Sequence, residues 1–325
     1  MTNFDYYAPT KVVFGKGTED QAGDLVREQR ATKVLVHYGS GSVKRSGLLE
    51  RIYQSLEQAG IPFVSLGGVV PNPRLSLVYQ GIELCKKEHV DFILAVGGGS
   101  VIDSGKAIGY GVANEGDVWD FYERKRVAAG CLPIGVVLTI AAAGSEMSNS
   151  SVITNEDGWL KRGYGNDCCR ARFAVMDPEL TMTLPKYQTA SGCVDIMMHT
   201  MERYFNQEEN LDLTDGFSEH LIRTVMENAR ILMKEPDNYK ARAEVMWAGS
   251  LSHNGLTGCG TAGGDWASHQ LEHELGGMFD VAHGAGLAAV WGSWARYVLE
   301  GNPGRFAQFA VRVTVSYTHL TLPTT

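Results

Sequence analysis

In the first half of the chain, short β-branched apolar runs alternate with amphipathic segments. The strand candidates are residues 33–38, 62–66, 91–96 and 132–139, and the helix candidates are residues 48–59 and 75–88. This alternation is typical of βαβ units, whose strands pair in parallel. The run Leu132–Thr139 is almost wholly apolar, as expected for a central strand covered on both faces. The pattern therefore predicts an α/β fold with a parallel sheet.

The pattern changes after Pro185. From Ala190 to Phe205 apolar residues recur at helical spacing, and helical patterns then continue to about Trp294. We therefore predict an α/β domain over residues 1–185 and an all-α domain over residues 186–313.

The last twelve residues do not continue the helix that Phe306, Phe309 and Ala310 predict. Residues 314–325 contain five threonines and a proline, which are poor helix formers. We predict that residues 314–325 are a non-native tail. The helical domain would then be incomplete, and an inactive truncated fragment is one expected outcome.

Composition narrows the function classes. Of 325 residues, 44% are hydrophobic and 20% charged, which excludes a disordered chain. With 29 Lys and Arg against 37 Asp and Glu, the net charge of −8 disfavours nucleic acid and membrane surfaces as partners. Six cysteines without Cys-x-x-Cys spacing, and an N-terminus without an apolar segment, indicate a reduced, cytoplasmic protein.

Two glycine-rich loops follow predicted strands. Gly97-Gly98-Gly99-Ser100 leads into a helix that carries Asp103, so free backbone amides of the helix start can hold a diphosphate. Gly39-Ser40-Gly41-Ser42, followed by Lys44, offers hydroxyls and a cation but no acid. An acid there would bind a ribose 2′-hydroxyl, so its absence favours NADP over NAD. The alternatives are a tight turn for the first loop and a solvated turn for the second.

Carboxylate and imidazole side chains cluster in the helical half. Asp195 and His199 are four residues apart, as are His269 and His273, so each pair shares one face of a helix; His283 follows. One Asp with several neutral imidazoles suits Fe²⁺ or Zn²⁺ and leaves a coordination position for a substrate oxygen. Each histidine alone is more often structural, but three within fifteen residues favour a metal site.

The segment His269-Gln270-Leu271-Glu272-His273 also matches His-x-x-Glu-His, the inverted zinc-peptidase pattern. Glu272 would then be the general base of a metal-dependent hydrolase. The pattern lies on a predicted helix over residues 265–275, whose end is marked by Gly276-Gly277. The two glycine loops argue against a peptidase, which has no need of them.

With these motifs in place, the chain resembles the iron-containing (group III) alcohol dehydrogenases, in particular their NADP-dependent butanol or aldehyde-reducing branch. The resemblance runs from about Tyr7 to Val313. The motifs that carry it are Pro9–Gly15, Pro71-Asn72-Pro73, Gly97-Gly98-Gly99-Ser100-x-x-Asp103, Asp177-Pro178-Glu179-Leu180, Gly192-x-x-Asp195-x-x-x-His199 and the His269, His273, His283-Gly284 series.

The resemblance implies a dehydroquinate synthase-like fold, a homodimer, and metal ligands at Asp195, His199, His269 and His283. It implies a proton-relay role for His273, and we predict His273, Asp103 and Lys161 as the catalytic residues. The predicted cofactor site comprises Gly39, Ser40, Ser42, Asn72, Gly98, Gly99, Ser100, Asp103, Thr139, Ser145 and Lys161.

Together these features predict reversible hydride transfer between NADPH and a small aliphatic aldehyde. The cleft for it would lie between a dinucleotide-binding domain (residues 1–185) and an all-α metal-binding domain (residues 186–313). A metal-dependent hydrolase remains the alternative enzyme class.

Overall fold

The first half of the protein is built around a six-stranded sheet in which every pairing is parallel. The computed structural model describes residues 1–208 and 211–314. The strands are β1 (Lys11–Phe14), β2 (Val34–Gly39), β3 (Phe63–Val69), β4 (Phe92–Gly97), β5 (Ile134–Leu138) and β8 (Phe173–Met176), in the order β1-β8-β5-β4-β2-β3. The predicted parallel α/β fold is confirmed.

The two faces of the sheet are covered by different helices. On β4, Phe92, Leu94 and Val96 pack on one side, while Ile93 and Ala95 pack on the other. The first side is covered by α1 (Ala22–Glu28), α2 (Ser42–Arg45) and α3 (Leu48–Gln58), and the second by α4 (Leu75–Glu88), α5 (Gly99–Ala113) and α6 (Trp119–Tyr122). Burial on both faces explains why the central strands are apolar throughout.

Along the chain, a small antiparallel hairpin lies between β5 and β8. It consists of β6 (Ser150–Asn155) and β7 (Leu160–Gly165). Its strands are rich in polar residues and glycine and lack a clear alternation, so the sequence pattern does not predict this hairpin. Ile153 anchors the hairpin in the core beneath α5. The hairpin carries Lys161 towards the helical half.

The second half consists of helices, as predicted. They are α7 (Lys186–Tyr204), α8 (Asp212–Leu232), α9 (Tyr239–His253), α10 (Ala267–Phe279), α11 (His283–Val298) and α12 (Pro303–Phe309). The helix α7 is central and packs against α8, α9 and α11. Among the described residues, no helix combines the length and the apolar character needed to cross a bilayer. The domain limits remain a prediction, and residues 315–325 of the predicted tail lie outside the described residues.

One predicted helix end is wrong. The helix α10 does not stop at Gly276-Gly277 but continues to Phe279, and Asp280 ends it with a φ of 54°. The two glycines serve packing instead, since a Cβ on Gly277 would lie 2.4 Å from the carbonyl oxygen of Trp159. They allow the turn of the hairpin to lie directly on the helix.

A buried ion pair holds α12 on the helical half. Both Nη atoms of Arg305 donate to the Asp215 carboxylate at 2.5 Å, and both residues are less than 10% exposed. We expect Arg305→Met to lower the free energy of unfolding by about 3–5 kcal/mol, because Asp215 loses its buried countercharge. Denaturant titration measures this loss.

The matched control is Arg312→Met, since Arg312 is 47% exposed and lies 3.5 Å from Glu219. Because Arg312 keeps its guanidinium in solvent, we expect this longer pair to contribute less than about 1 kcal/mol. Equal effects of the two substitutions would contradict a stabilising role for the Arg305–Asp215 pair.

Candidate active site

A single cavity of about 530 Å³ lies where the carboxyl edge of the sheet meets the helical half. It is lined by eleven of the predicted site residues: Asn72, Gly99, Ser100, Asp103, Ser145, Lys161, Asp195, His199, His269, His273 and His283. The predicted residues outside its lining are Gly39, Ser40, Ser42, Gly98 and Thr139. The structure thus brings most of both predicted sites into one space.

The four predicted metal ligands converge from three helices. The helix α7 supplies Asp195 and His199, α10 supplies His269, and α11 begins at His283. Measured from Asp195 Oδ1, the nearest imidazole nitrogens lie at 3.6 Å (His199 Nδ1), 3.8 Å (His269 Nε2) and 3.6 Å (His283 Nε2). Residues 88 positions apart at the extremes of the set, from 195 to 283, therefore face one point.

These residues fit a divalent cation. Asp195 Oδ1, His199 Nδ1 and His269 Nε2 are buried and have no hydrogen-bond partner among the described residues. Leaving buried polar atoms unpaired is costly, so a shared partner is expected between them. An oxygen and several imidazole nitrogens are a donor set that Fe²⁺ and Zn²⁺ accept.

Burial also keeps two of the predicted ligand histidines, His199 and His283, neutral, as metal binding requires, whereas Asp195 and Glu202 raise the pKa of His269 against the effect of burial. Burial, reinforced by the neighbouring His253, holds the pKa of His199 well below its usual range. Burial lowers the pKa of His283 to about 3, even though Asp195 acts in the opposite direction. Both rings therefore offer lone pairs to a cation at neutral pH.

Two carboxylates orient the ligand rings from behind. Glu202 Oε1 accepts hydrogen bonds from His269 at Nδ1 and at the backbone nitrogen, both at 3.0 Å. Glu272 contacts Nδ1 of His283 and lies 3.0 Å from Lys161 Nζ. Such outer carboxylates fix the tautomer that leaves the other ring nitrogen free for the metal. The sequence analysis missed Glu202, although it lies seven residues after Asp195 and so on the same helical face.

The position of Glu272 argues against the hydrolase alternative. Its side chain is completely buried and is paired with Lys161 and His283, and burial raises its pKa to about 7. His273 groups with Glu272 and His283 rather than with the Asp195, His199 and His269 set. Glu272 is therefore not placed to activate a water on an ion held by that set.

The predicted nucleotide side of the cavity is the start of α5. Gly98 precedes the helix, and a Cβ on Gly99 would lie 2.8 Å from the Ala143 side chain, so the glycine is required by packing. Asp103 accepts from the Val152 backbone nitrogen at 2.9 Å and from the Ser145 hydroxyl, and burial raises the pKa of its carboxyl. A cofactor or catalytic role for these residues remains a prediction.

A buried lysine that the sequence analysis missed holds the adjacent loop. Lys106 is fully buried, and its Nζ donates to the carbonyl oxygens of Ser145 (2.7 Å), Ser148 (3.0 Å) and Ser150 (2.8 Å). A lysine three residues after Asp103 on an otherwise apolar helix was the available signal. Lys106 thereby fixes residues 145–150, of which Ser145, Ser148 and Ser150 line the cavity.

The remaining predicted cofactor residues lie at the same edge of the sheet. Gly39 ends β2, and a Cβ there would lie 3.9 Å from Val101 on α5. Thr139 follows β5, and its backbone N–H donates a hydrogen bond to the carbonyl oxygen of Gly97 at 3.0 Å. Asn72 instead joins the two halves, since its Nδ2 donates to Asp280 Oδ1 at 2.9 Å.

One histidine that the sequence does not identify as a site residue, His253, lies against the predicted metal ligands. Its ring centroid is 4.0 Å from that of His199, and its Nδ1 is 3.2 Å from Arg203 Nη2. Burial, together with Arg203, holds its pKa well below the usual range. With Trp266, which also lines the cavity, His253 forms an aromatic wall beside the ligands.

Comparisons with known proteins agree with this geometry. Residues 9–178 match the family described as iron-containing alcohol dehydrogenase, and residues 189–321 match the C-terminal part of the Fe-containing alcohol dehydrogenase family. The chain is 43% identical over 313 residues to the probable NADH-dependent butanol dehydrogenase 1 of Bacillus subtilis, covering 96% of this chain and 80% of that protein.

The chain is also 37% identical over 319 residues to the NADPH-dependent aldehyde reductase of Escherichia coli, covering 96% and 80% of the two chains. Among solved structures, NADH-dependent butanol dehydrogenase A of Thermotoga maritima superposes with a TM-score of 0.95 at 42% identity, covering 96% of this chain and 78% of that one. The chain therefore belongs to the iron-containing alcohol dehydrogenase family and is an oxidoreductase of the alcohol dehydrogenase and aldehyde reductase class.

Proposed function

We propose that this protein reduces small aliphatic aldehydes such as butyraldehyde with NADPH, and oxidises the corresponding alcohols in reverse. The observation that carries the proposal is the single cavity, which joins the start of α5 to the unpaired ligand atoms of Asp195, His199 and His269. The butanol dehydrogenases and the aldehyde reductase among its relatives support the substrate class.

Asp195, His199, His269 and His283 would hold Fe²⁺ or Zn²⁺. When bound, the ion supplies Lewis acidity towards a carbonyl oxygen, and the nicotinamide supplies or accepts the hydride. The aldehyde, NADPH and one proton are thus converted to the alcohol and NADP⁺. His273 lines the cavity and exchanges that proton with the substrate oxygen, directly or through a water.

On the nucleotide side, the amides at the start of α5 bind the diphosphate, flanked by Ser100 and Asp103. Lys161 lines the cavity between this helix and the histidines, a position suited to contact the nicotinamide half of the cofactor. The homodimeric state and the cytoplasmic location remain predictions from the sequence.

Metal removal tests the proposed reaction. We expect purified protein to oxidise NADPH in the presence of butyraldehyde. Dialysis against a chelator should lower the rate by at least about 100-fold, because Lewis-acid stabilisation is worth several kcal/mol. Re-addition of Fe²⁺ or Zn²⁺ should restore it. NADPH oxidation that is insensitive to the chelator, or absent with a series of aliphatic aldehydes, would contradict the proposal.

His273→Ala separates proton transfer from metal binding. We expect kcat for aldehyde reduction to fall by about 10²–10⁴-fold, the usual contribution of a general acid, while the metal content stays that of the parent. The matched control is His220→Ala on the exposed face of α8, which should leave both quantities unchanged. Loss of the metal in His273→Ala would instead support the His-x-x-Glu-His hydrolase arrangement.

The loop after β2 is the basis for the proposed NADP(H) preference. Residues 39–44 contain Ser40, Ser42 and Lys44 but no carboxylate, so nothing in the loop repels a 2′-phosphate. The names of the relatives divide on this point, since both NADH-dependent and NADPH-dependent enzymes occur among them. The cofactor preference therefore needs a direct measurement.

We expect kcat/KM to be higher with NADPH than with NADH. Ser40→Asp should lower the NADPH to NADH ratio by at least about tenfold, mainly through KM, because a carboxylate repels the phosphate. Ser46→Asp adds the same charge at the other end of α2 and should change the ratio little. A parent enzyme that prefers NADH would refute the proposed cofactor preference but not the proposed aldehyde reduction.

A further inference from the structure

Glu272 is the most deeply buried carboxylate beside the ligand cluster. It lies on α10 between His269 and His273 and has no exposed surface. Its Oε2 accepts from Lys161 Nζ at 3.0 Å and contacts Nδ1 of His283. Its Oε1 has no hydrogen-bond partner among the described residues. A carboxylate with a free buried oxygen is costly, so its retention calls for a compensating role.

Two helices leave room for this carboxylate. A Cβ on Gly276 of α10 would lie 2.8 Å from Lys161 Nζ and 3.0 Å from Glu272 Oε1. A Cβ on Gly286 of α11 would lie 2.8 Å from Glu272 Cγ. Both glycines have ordinary helical backbone, so the conformation does not require glycine there. The space for the Lys161–Glu272 pair requires it instead.

The contact with His283 has a definite effect on that ring. A carboxylate on Nδ1 holds the proton there and leaves the lone pair of Nε2 directed at Asp195 Oδ1, 3.6 Å away. Glu202 does the same for His269. The two carboxylates differ in one respect, because Glu272 is paired with a lysine from the hairpin of the other half.

We propose that Glu272 is a positioning residue for the metal site: held by Lys161, it orients His283 and so sets the affinity of the site for a divalent ion. This inference rests on the proposed metal-binding function. Lys161 places the carboxylate, the carboxylate places the imidazole, and the two glycines keep this arrangement free of steric conflict. Metal affinity thereby depends on a residue of the sheet half that is not itself a ligand.

The experiment measures the Kd for Zn²⁺ by chelator competition, without nucleotide or substrate. We expect Glu272→Ala to raise the Kd by about 10–100-fold, as for other residues that orient a metal ligand. Glu272→Gln should have a smaller effect, because its amide oxygen still accepts from Nδ1. The absorption spectrum of bound Co²⁺ should change in both variants, which a merely structural role away from the ion would not produce.

Gly276→Ala tests the same arrangement without removing any polar group, since its methyl displaces the Lys161 ammonium from Glu272. We expect it to raise the Zn²⁺ Kd by more than about threefold, which approaches the loss of affinity seen when residues that orient metal ligands are replaced. The controls are Glu274→Gln, an exposed carboxylate on the same helix, and Gly216→Ala, where a Cβ meets nothing within 4 Å. Both controls should bind Zn²⁺ like the parent.

If Glu272→Ala does not fold, Glu272→Gln and Gly276→Ala decide the question. Folded Glu272 and Gly276 variants that bind Zn²⁺ like the controls, with unchanged Co²⁺ spectra, would overturn the inference and leave the proposed function standing. A parent protein that binds neither ion would overturn both.

Discussion

The arrangement of the site depends on three buried atoms that have no hydrogen-bond partner among the described residues: Asp195 Oδ1, His199 Nδ1 and His269 Nε2. Each of these atoms loses its hydration on folding and gains no hydrogen bond from the described part of the protein. The surrounding packing holds them in place at this cost: Glu202 behind His269, Glu272 behind His283, and the His253 ring against His199. A divalent ion is the partner whose chemistry matches what these atoms offer. The atoms that lower the stability of this region are therefore the same atoms that suit it to bind a metal ion.

The second constraint is that the site is shared between the two halves. Lys161 arrives on a hairpin of the sheet half and is paired with Glu272 of α10. Asn72 follows β3 and donates a hydrogen bond to Asp280, which lies three residues before His283. Close approach of the halves needs positions without side chains, and a Cβ on Gly192 would lie 2.4 Å from the Ala141 carbonyl oxygen. Glycine content in this protein thus reflects packing across the cavity as well as turns.

The elements that can be predicted are those whose local sequence pattern is compatible with only one secondary structure. Short continuous apolar runs predict the strands β2 and β4, and apolar positions at a period of about 3.6 residues predict the helix α4. The hairpin 150–165 escaped prediction because Ser151, Thr154 and Lys161 are buried by partners from other elements, which a polar sequence does not reveal. Gly276-Gly277 predicts a helix end, because the sequence does not distinguish a glycine required by tertiary packing from one required by its backbone conformation.

By itself the sequence determined the parallel sheet, the helical second half and the identity of the residues able to bind a metal, because residue type and spacing are local properties. Tertiary structure alone decided which of the clustered histidines share a point in space, since those residues come from three helices and their directions depend on packing. It also decided that Glu272 is a buried partner of Lys161 and His283 rather than an exposed base. The burial of a charged residue and its pairing with a countercharge depend on distant segments, and no local pattern encodes them.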